Sequence, residues 1–198
     1  MKILIIRHGE SEADLLDVHE GRADYELTET GHKQAQAMAE YVHKNFKIDM
    51  IYASPLKRAA QTAKHLSETT HVQVILDPNL MEFNNGLLAG LSRKEAAEKY
   101  PEIIGLPNDQ AVYGQESKIE FRNRANQFLN KLLNEEDMDK TVAVISHEGM
   151  INQLFASLLN TPINSPIVFG TGDTGIHVWR WEGNRTVILK SNLTDHIS

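Results

Sequence analysis

The sequence predicts an α/β fold, a three-layer sandwich whose central sheet is mostly parallel with one antiparallel strand. Three observations carry this. Short apolar runs of strand length alternate with stretches of helical periodicity along the chain. The last two strand-like runs, 175–181 and 185–191, flank Glu182-Gly183-Asn184, a hairpin turn that reverses one strand within the sheet. Two histidines, His8 and His147, stand where apolar runs end, the place where open α/β sheets collect ligands.

Each element has its own signal. Residues 2–6 (Lys-Ile-Leu-Ile-Ile) are too short for a helix and suit a buried strand. Over 29–46, Ala35, Met38, Ala39, Val42 and Phe46 fall on one helical face, with Thr28 as N-cap and Glu29 in the first turn. A strand near 50–53 leads to a helix starting at Ser54-Pro55, with Ser as cap and Pro in the first position. A strand at 72–76 follows. Residues 84–116, rich in Gly, Pro, Asn and Asp, form a surface excursion with a helical piece at 92–100. A long amphipathic helix covers about 117–134, a strand 142–146 and a helix 149–159. With no repeat and no linker, 198 residues form one domain, 1–198.

Composition narrows the function classes. Hydrophobic content of 41% supports a sizeable core, and the absence of cysteine removes disulfides, thiolate nucleophiles and cysteine-bound zinc. The net charge of -7, from 27 acidic and 20 basic residues without a basic cluster, argues against a nucleic-acid partner. Any phosphate site must therefore be local, built from a few arginines in a pocket. The four apolar residues that precede Arg7 are too few for a signal peptide, and no run approaches the roughly 20 residues of a membrane span. The expected setting is the cytoplasm, without a membrane partner.

His8 lies in Arg7-His8-Gly9-Glu10-Ser11. An imidazole nitrogen can attack phosphorus, arginines match phosphate oxygens, and Gly9 lets backbone amides approach an anion. The bland alternative is a structural Arg-His pair. Arg58, in Ser54-Pro55-Leu56-Lys57-Arg58-Ala59, is either an exposed charge or a second arm on a phosphate at a helix start. Glu82, before the loop Phe83-Asn84-Asn85-Gly86, is either solvated or a general acid. For the histidines at 19, 32, 43, 65, 71, 177 and 196, surface or packing roles are expected.

Together these motifs resemble the histidine phosphatase superfamily, in its phosphoglycerate-mutase-like branch. The likeness covers nearly the whole chain in order: Arg7-His8-Gly9-Glu10-Ser11; Leu27-Thr28-Glu29-Thr30-Gly31 with Gln34-Ala35; Ser54 to Ala59 with Gln61-Thr62-Ala63; Glu82 with Gly86 and Gly90; and Val144-Ile145-Ser146-His147. The resemblance implies a phosphoglycerate-mutase-like fold and a metal-independent phosphoric monoester hydrolase with no cofactor. His8 would form a phosphohistidine, Arg7, Arg58 and His147 would hold the phosphoryl oxygens, and Glu82 would be the proton donor. Ser11, Asp14, Gly21 and Arg22 are the candidate substrate-binding residues, with Arg22 placed for a second anionic group. The implied substrate is a small phosphorylated metabolite, and the protein is expected to be a monomer or a homodimer.

Two positions depart from the family pattern. Asp14 stands where relatives have Asn, and would repel phosphate unless protonated or turned away; Glu148 stands where many have Gly, with Gly149 after it. Cofactor-dependent mutase chemistry is the alternative, disfavoured because the 92–116 stretch offers only Arg93, Lys94 and Lys99 and the chain stops soon after its last strand. A more distant alternative is a metal site of His8, His147 and Glu82, which Arg7 and Arg58 would oppose. A non-catalytic phosphate-binding module is the last.

Overall fold

The computed structural model describes residues 1–135 and 137–197. Six strands form one sheet: β1 (Lys2–Arg7), β2 (Met50–Ala53), β3 (Val74–Leu76), β4 (Thr141–Ser146), β5 (Ile176–Trp181) and β6 (Thr186–Leu193). Their order is β3-β2-β4-β1-β5-β6. The pairs β2/β3, β2/β4 and β1/β4 are parallel, while β5 runs antiparallel to both β1 and β6. The reversed strand predicted from the closing hairpin is β5.

The helices are α1 (Glu12–Leu16), α2 (Glu29–Asn45), α3 (Lys57–Thr70), α4 (Arg93–Lys99), α5 (Lys118–Glu135) and α6 (Glu148–Leu158). They cover both faces of the sheet because strand side chains alternate. Ile3 and Ile5 of β1 enter a core with Phe128 of α5 and Phe155 of α6. Leu4 and Ile6, on the other face, pack with Met38 and Val42 of α2 and Leu66 of α3. All four β1 residues are fully buried. Each such side chain contributes roughly 1.5–3 kcal/mol. The centre of the sheet is therefore its most strongly held part, and β1 and β4 deliver their C-terminal residues from it.

Local signals account for most boundaries. Thr28 caps α2 as expected, its Oγ1 accepting from Gly31 N at 2.9 Å. Ser117 and Glu120 exchange side chain-to-backbone bonds at the start of α5. The start of α3 differs from expectation: Leu56 is the N-cap, and Ser54 and Pro55 precede the helix. Ser54 Oγ accepts from Leu56 N at 3.3 Å, and its hydroxyl hydrogen remains to be donated. The short helix α1 was not anticipated, since five residues carry too little periodicity to register.

Residues 84–116 leave and rejoin the fold at one point. Glu116 N donates to Asn84 O at 2.9 Å, and Asn84 N donates to the Glu116 carboxylate at 2.6 Å. Leu87 N donates to Tyr113 O at 2.9 Å just inside that closure. Among the described residues, no helix is long and apolar enough to cross a membrane.

Candidate active site

His8 follows β1 directly and is 2% exposed. Its Nδ1 lies 2.7 Å from Gly9 O, which can only accept; the proton is therefore on Nδ1 and the lone pair on Nε2. Burial, followed by the fields of Arg58 and Arg7, holds its pKa well below the usual histidine value. The result is a neutral imidazole with one fixed tautomer. The run that carries it is tied down: Gly9 N donates to Thr62 Oγ1 (3.2 Å) and Glu10 N to Gln34 Oε1 (2.8 Å). A Cβ on Gly9 would collide with the Gly31 carbonyl, so α2 packs on this loop only with glycine there.

Arg58, fully buried in the first turn of α3, brings its Nε to 3.2 Å from His8 Nε2. The rest of its guanidinium is held by backbone, NH1 donating to Ala23 O (3.1 Å) and NH2 to Gly21 O (2.9 Å). Gly21 sits at φ +45°, a conformation that favours glycine, and a side chain there would strike Asn85. Gly21 therefore acts through its carbonyl, orienting Arg58.

His147 follows β4 and is fully buried, its ring centroid 5.1 Å from that of His8. Its Nε2 meets Ser54 Oγ at 2.8 Å, while that oxygen also accepts from Leu56 N. Its Nδ1 and the Nε of Arg7 are buried without a hydrogen-bond partner among the described residues. Burial, with Arg58 next, drives the His147 pKa well down as well. Arg7 donates through NH1 to Thr171 O (2.8 Å) and lies 3.5 Å from both Glu148 and Asp173. Glu148 thus meets an arginine of the site from a half-exposed position.

Glu82 accepts from Phe83 N (2.7 Å) and from Gly149 N (2.9 Å). Burial pushes its carboxyl above the usual range, against the pull of those two donors. A methyl on Gly149 would overlap the Glu82 carboxylate, which accounts for glycine at that position. The Glu82 loop is clamped by Arg124 of α5, whose guanidinium donates to the carbonyls of Asn79, Met81 and Glu82 (2.9, 2.9 and 3.1 Å). Arg124 is fixed in turn by Glu116 at 2.7 Å.

Of the candidate substrate-binding residues, Asp14 turns back to cap α1, its Oδ2 accepting from Ser11 N (2.8 Å) and Ser11 Oγ (3.0 Å). Ser11 Oγ also lies 2.5 Å from Glu20 Oε1. Arg22 is engaged with Glu116 (3.6 Å) and the Glu82 carbonyl (3.4 Å), so its charge serves the Glu82 loop rather than standing free. Glu20, Arg124 and Glu116 carry no signal in the sequence, and Ser54 is read there only as a helix cap.

Beside Glu82 opens a cleft of about 500 Å³ lined by Asp14, Glu20, Gly21, Phe83, Leu88 and Arg93, among others. A second cleft of about 620 Å³, between α4 and residues 102–116, shares Phe83, Leu88 and Arg93 with it. Among the described residues, no group of three or more His, Asp or Glu side chains is arranged to hold a metal ion. Arg58 Nε, directed at His8 Nε2, places a fixed cation where a metal would have to sit.

Neutral imidazoles and paired arginines at the carboxyl ends of parallel strands define an anion-handling centre of the phosphoryl-transfer class. Residues 3–194 match the family model of the histidine phosphatase superfamily (branch 1), and the chain belongs to that superfamily. Phosphoserine phosphatase 1 of Hydrogenobacter thermophilus is 32% identical over 201 residues, covering 100% of this chain and 94% of that protein. Glucosyl-3-phosphoglycerate phosphatase of Mycobacterium tuberculosis is 30% identical, over 87% of this chain and 82% of that protein. A solved structure of the mycobacterial glucosyl-3-phosphoglycerate phosphatase with VO3 superposes with a TM-score of 0.83 at 28% identity, covering 96% and 98% of the two chains.

Proposed function

We propose that this protein is a metal-independent phosphatase of small phosphate monoesters that works through a phosphohistidine on His8. The observation that carries this reading is the fixed tautomer of His8: Nδ1–H bonded to Gly9 O leaves the Nε2 lone pair available beside Arg58. In the first step Nε2 attacks phosphorus, the P–O ester bond breaks, and the leaving oxygen takes the proton of Glu82. In the second, water attacks the phosphohistidine and gives a proton to the Glu82 carboxylate. The P–N bond breaks, returning neutral His8 and free phosphate. Arg7, Arg58 and His147 stabilise the charge that develops on the phosphoryl oxygens. Relatives named as phosphatases of phosphoserine and of glucosyl-3-phosphoglycerate support a small phosphorylated metabolite as substrate.

Rapid quench with labelled substrate tests it. An acid-labile, base-stable phosphoenzyme is expected in the wild type and lost in His8→Ala. Its absence from the wild type during turnover overturns the covalent mechanism.

A further inference from the structure

Glu20 has no part in the chemistry proposed above, yet it reaches the same atoms. Its Oε1 is 2.5 Å from Ser11 Oγ and 3.1 Å from Arg58 Nε, and its Oε2 is 3.9 Å from His8 Nε2. Arg58 turns its Nε to this point, while NH1 and NH2 each give one hydrogen to Ala23 O and Gly21 O. A phosphoryl group bound for His8 Nε2 must therefore enter space beside a cation that the Glu20 carboxylate already faces.

We propose that Glu20 is a resident anion of the phosphoryl pocket, and that its carboxylate must gain a proton or rotate into the neighbouring cleft before a phosphoryl group can bind. The inference rests on the reading of His8 and Arg58 as the phosphoryl site. Two further observations support it. Ser11 Oγ carries one proton but faces two carboxyl groups, Asp14 at 3.0 Å and Glu20 at 2.5 Å. Both contacts become hydrogen bonds when Glu20 holds a proton of its own and Ser11 donates to Asp14. The cleft beside Glu20 gives its side chain, 20% exposed, somewhere to go.

The groups facing Glu20 set its titration. Arg58 of α3 favours the carboxylate, as does the Ser11 hydroxyl when it turns from Asp14 toward an ionised Glu20. Burial is the largest influence and raises its pKa, with Asp14 of α1 and Glu82 adding to that rise. His8 is neutral and contributes no charge. The consequence is selection. An ester recovers the cost of displacing Glu20 through contacts of its leaving group in the cleft. Inorganic phosphate has no such contacts, so Glu20 disfavours the free product.

The test is direct titration of the full-length enzyme with inorganic phosphate by calorimetry, comparing wild type with Glu20→Gln and Glu20→Ala between about pH 5 and pH 8. Phosphate's own ionisation and that of Glu82 are common to all three and largely cancel in the ratio of affinities. The variants are expected to bind phosphate about tenfold more tightly at the alkaline end. That advantage should shrink toward unity as pH falls and wild-type Glu20 takes up its proton. Product inhibition during nitrophenyl phosphate turnover should strengthen in parallel. Folded variants, verified by thermal melts, with equal or weaker phosphate affinity across the range overturn the inference and leave the phosphohistidine reading standing. Loss of the phosphoenzyme alone overturns that reading without touching the binding ratio.

Discussion

Gly149→Ala separates the stability of this protein from its chemistry. The position lies in the first turn of α6 with ordinary helical backbone, where alanine is the better helix former by up to about 1 kcal/mol. The added methyl, however, falls on the Glu82 carboxylate, which must move and give up its bond from Gly149 N. A hydrogen bond to the neutral acid is worth about 0.5–1.5 kcal/mol, which at about 1.36 kcal/mol per decade is roughly a twofold to tenfold loss in rate from that bond alone. Since general acid catalysis supplies about 10²–10⁴-fold, complete displacement of Glu82 would extend that loss toward the upper figure. The loss should fall on substrates that need a proton. The assay is kcat/KM for an alkyl phosphate against nitrophenyl phosphate, with a thermal melt for each protein. The expected result is a near-wild-type melting temperature, a large loss on the alkyl ester and a small one on the nitrophenyl ester. Equal losses on both esters in a folded variant would refute Glu82 as the acid that Gly149 positions.

Two further expectations concern Arg58 and the buried histidines. Arg58→Lys keeps the charge but loses the fork that binds Gly21 O, Ala23 O and His8 together. Steady-state kinetics should show a drop of at least about a hundredfold in kcat/KM, and a drop under about threefold would show that charge alone suffices. For stability, His177 is held neutral because Asn192 N donates to its Nδ1 while its Nε2 meets Thr171 Oγ1. Burial lowers its pKa to about 4. The unfolded chain binds that proton near pH 6.5, so stability is full above this value and falls as pH drops toward about 4, by at most about 3 kcal/mol from this group. Urea melts at pH 7 and pH 5 check this, and His177→Gln should flatten the slope; an identical slope in the variant would remove His177 as its source.

The layered fold was legible because β1 and β4 are continuous apolar runs and α2 keeps a clean helical stripe. His8, His147 and Arg58 were legible because they stand next to elements whose ends the pattern marks. What escaped reading depends on distance. Arg124 looks like one more polar residue on the outer face of α5, and nothing near it in the chain signals that it grips three carbonyls around Glu82. Glu20 lies in a loop whose path is set by Gly21 and by the arginine it wraps, not by any periodic pattern. Ser54 carried a signal that pointed the wrong way. Ser-Pro ahead of a helix suggests a cap, but Leu56 takes that position, and the Ser54 hydroxyl joins Leu56 N to His147. In each case a side chain's partner lies across the fold, beyond the reach of local rules.

The closed stem of residues 84–116 has a practical consequence. Because Asn84 and Glu116 bond to each other, the two ends of this stretch meet, and its middle is seated a second time on residues 17–21, where His19 exchanges backbone bonds with Gly90 and Leu91 and Asp17 pairs with Arg93. His8, Arg58 and His147 are carried by β1, α3 and β4, none of which runs through it. A stretch exchanged with that of a relative would therefore have to match both the stem and the seat on residues 17–21, because Glu20 and Gly21 of that seat border His8 and Arg58.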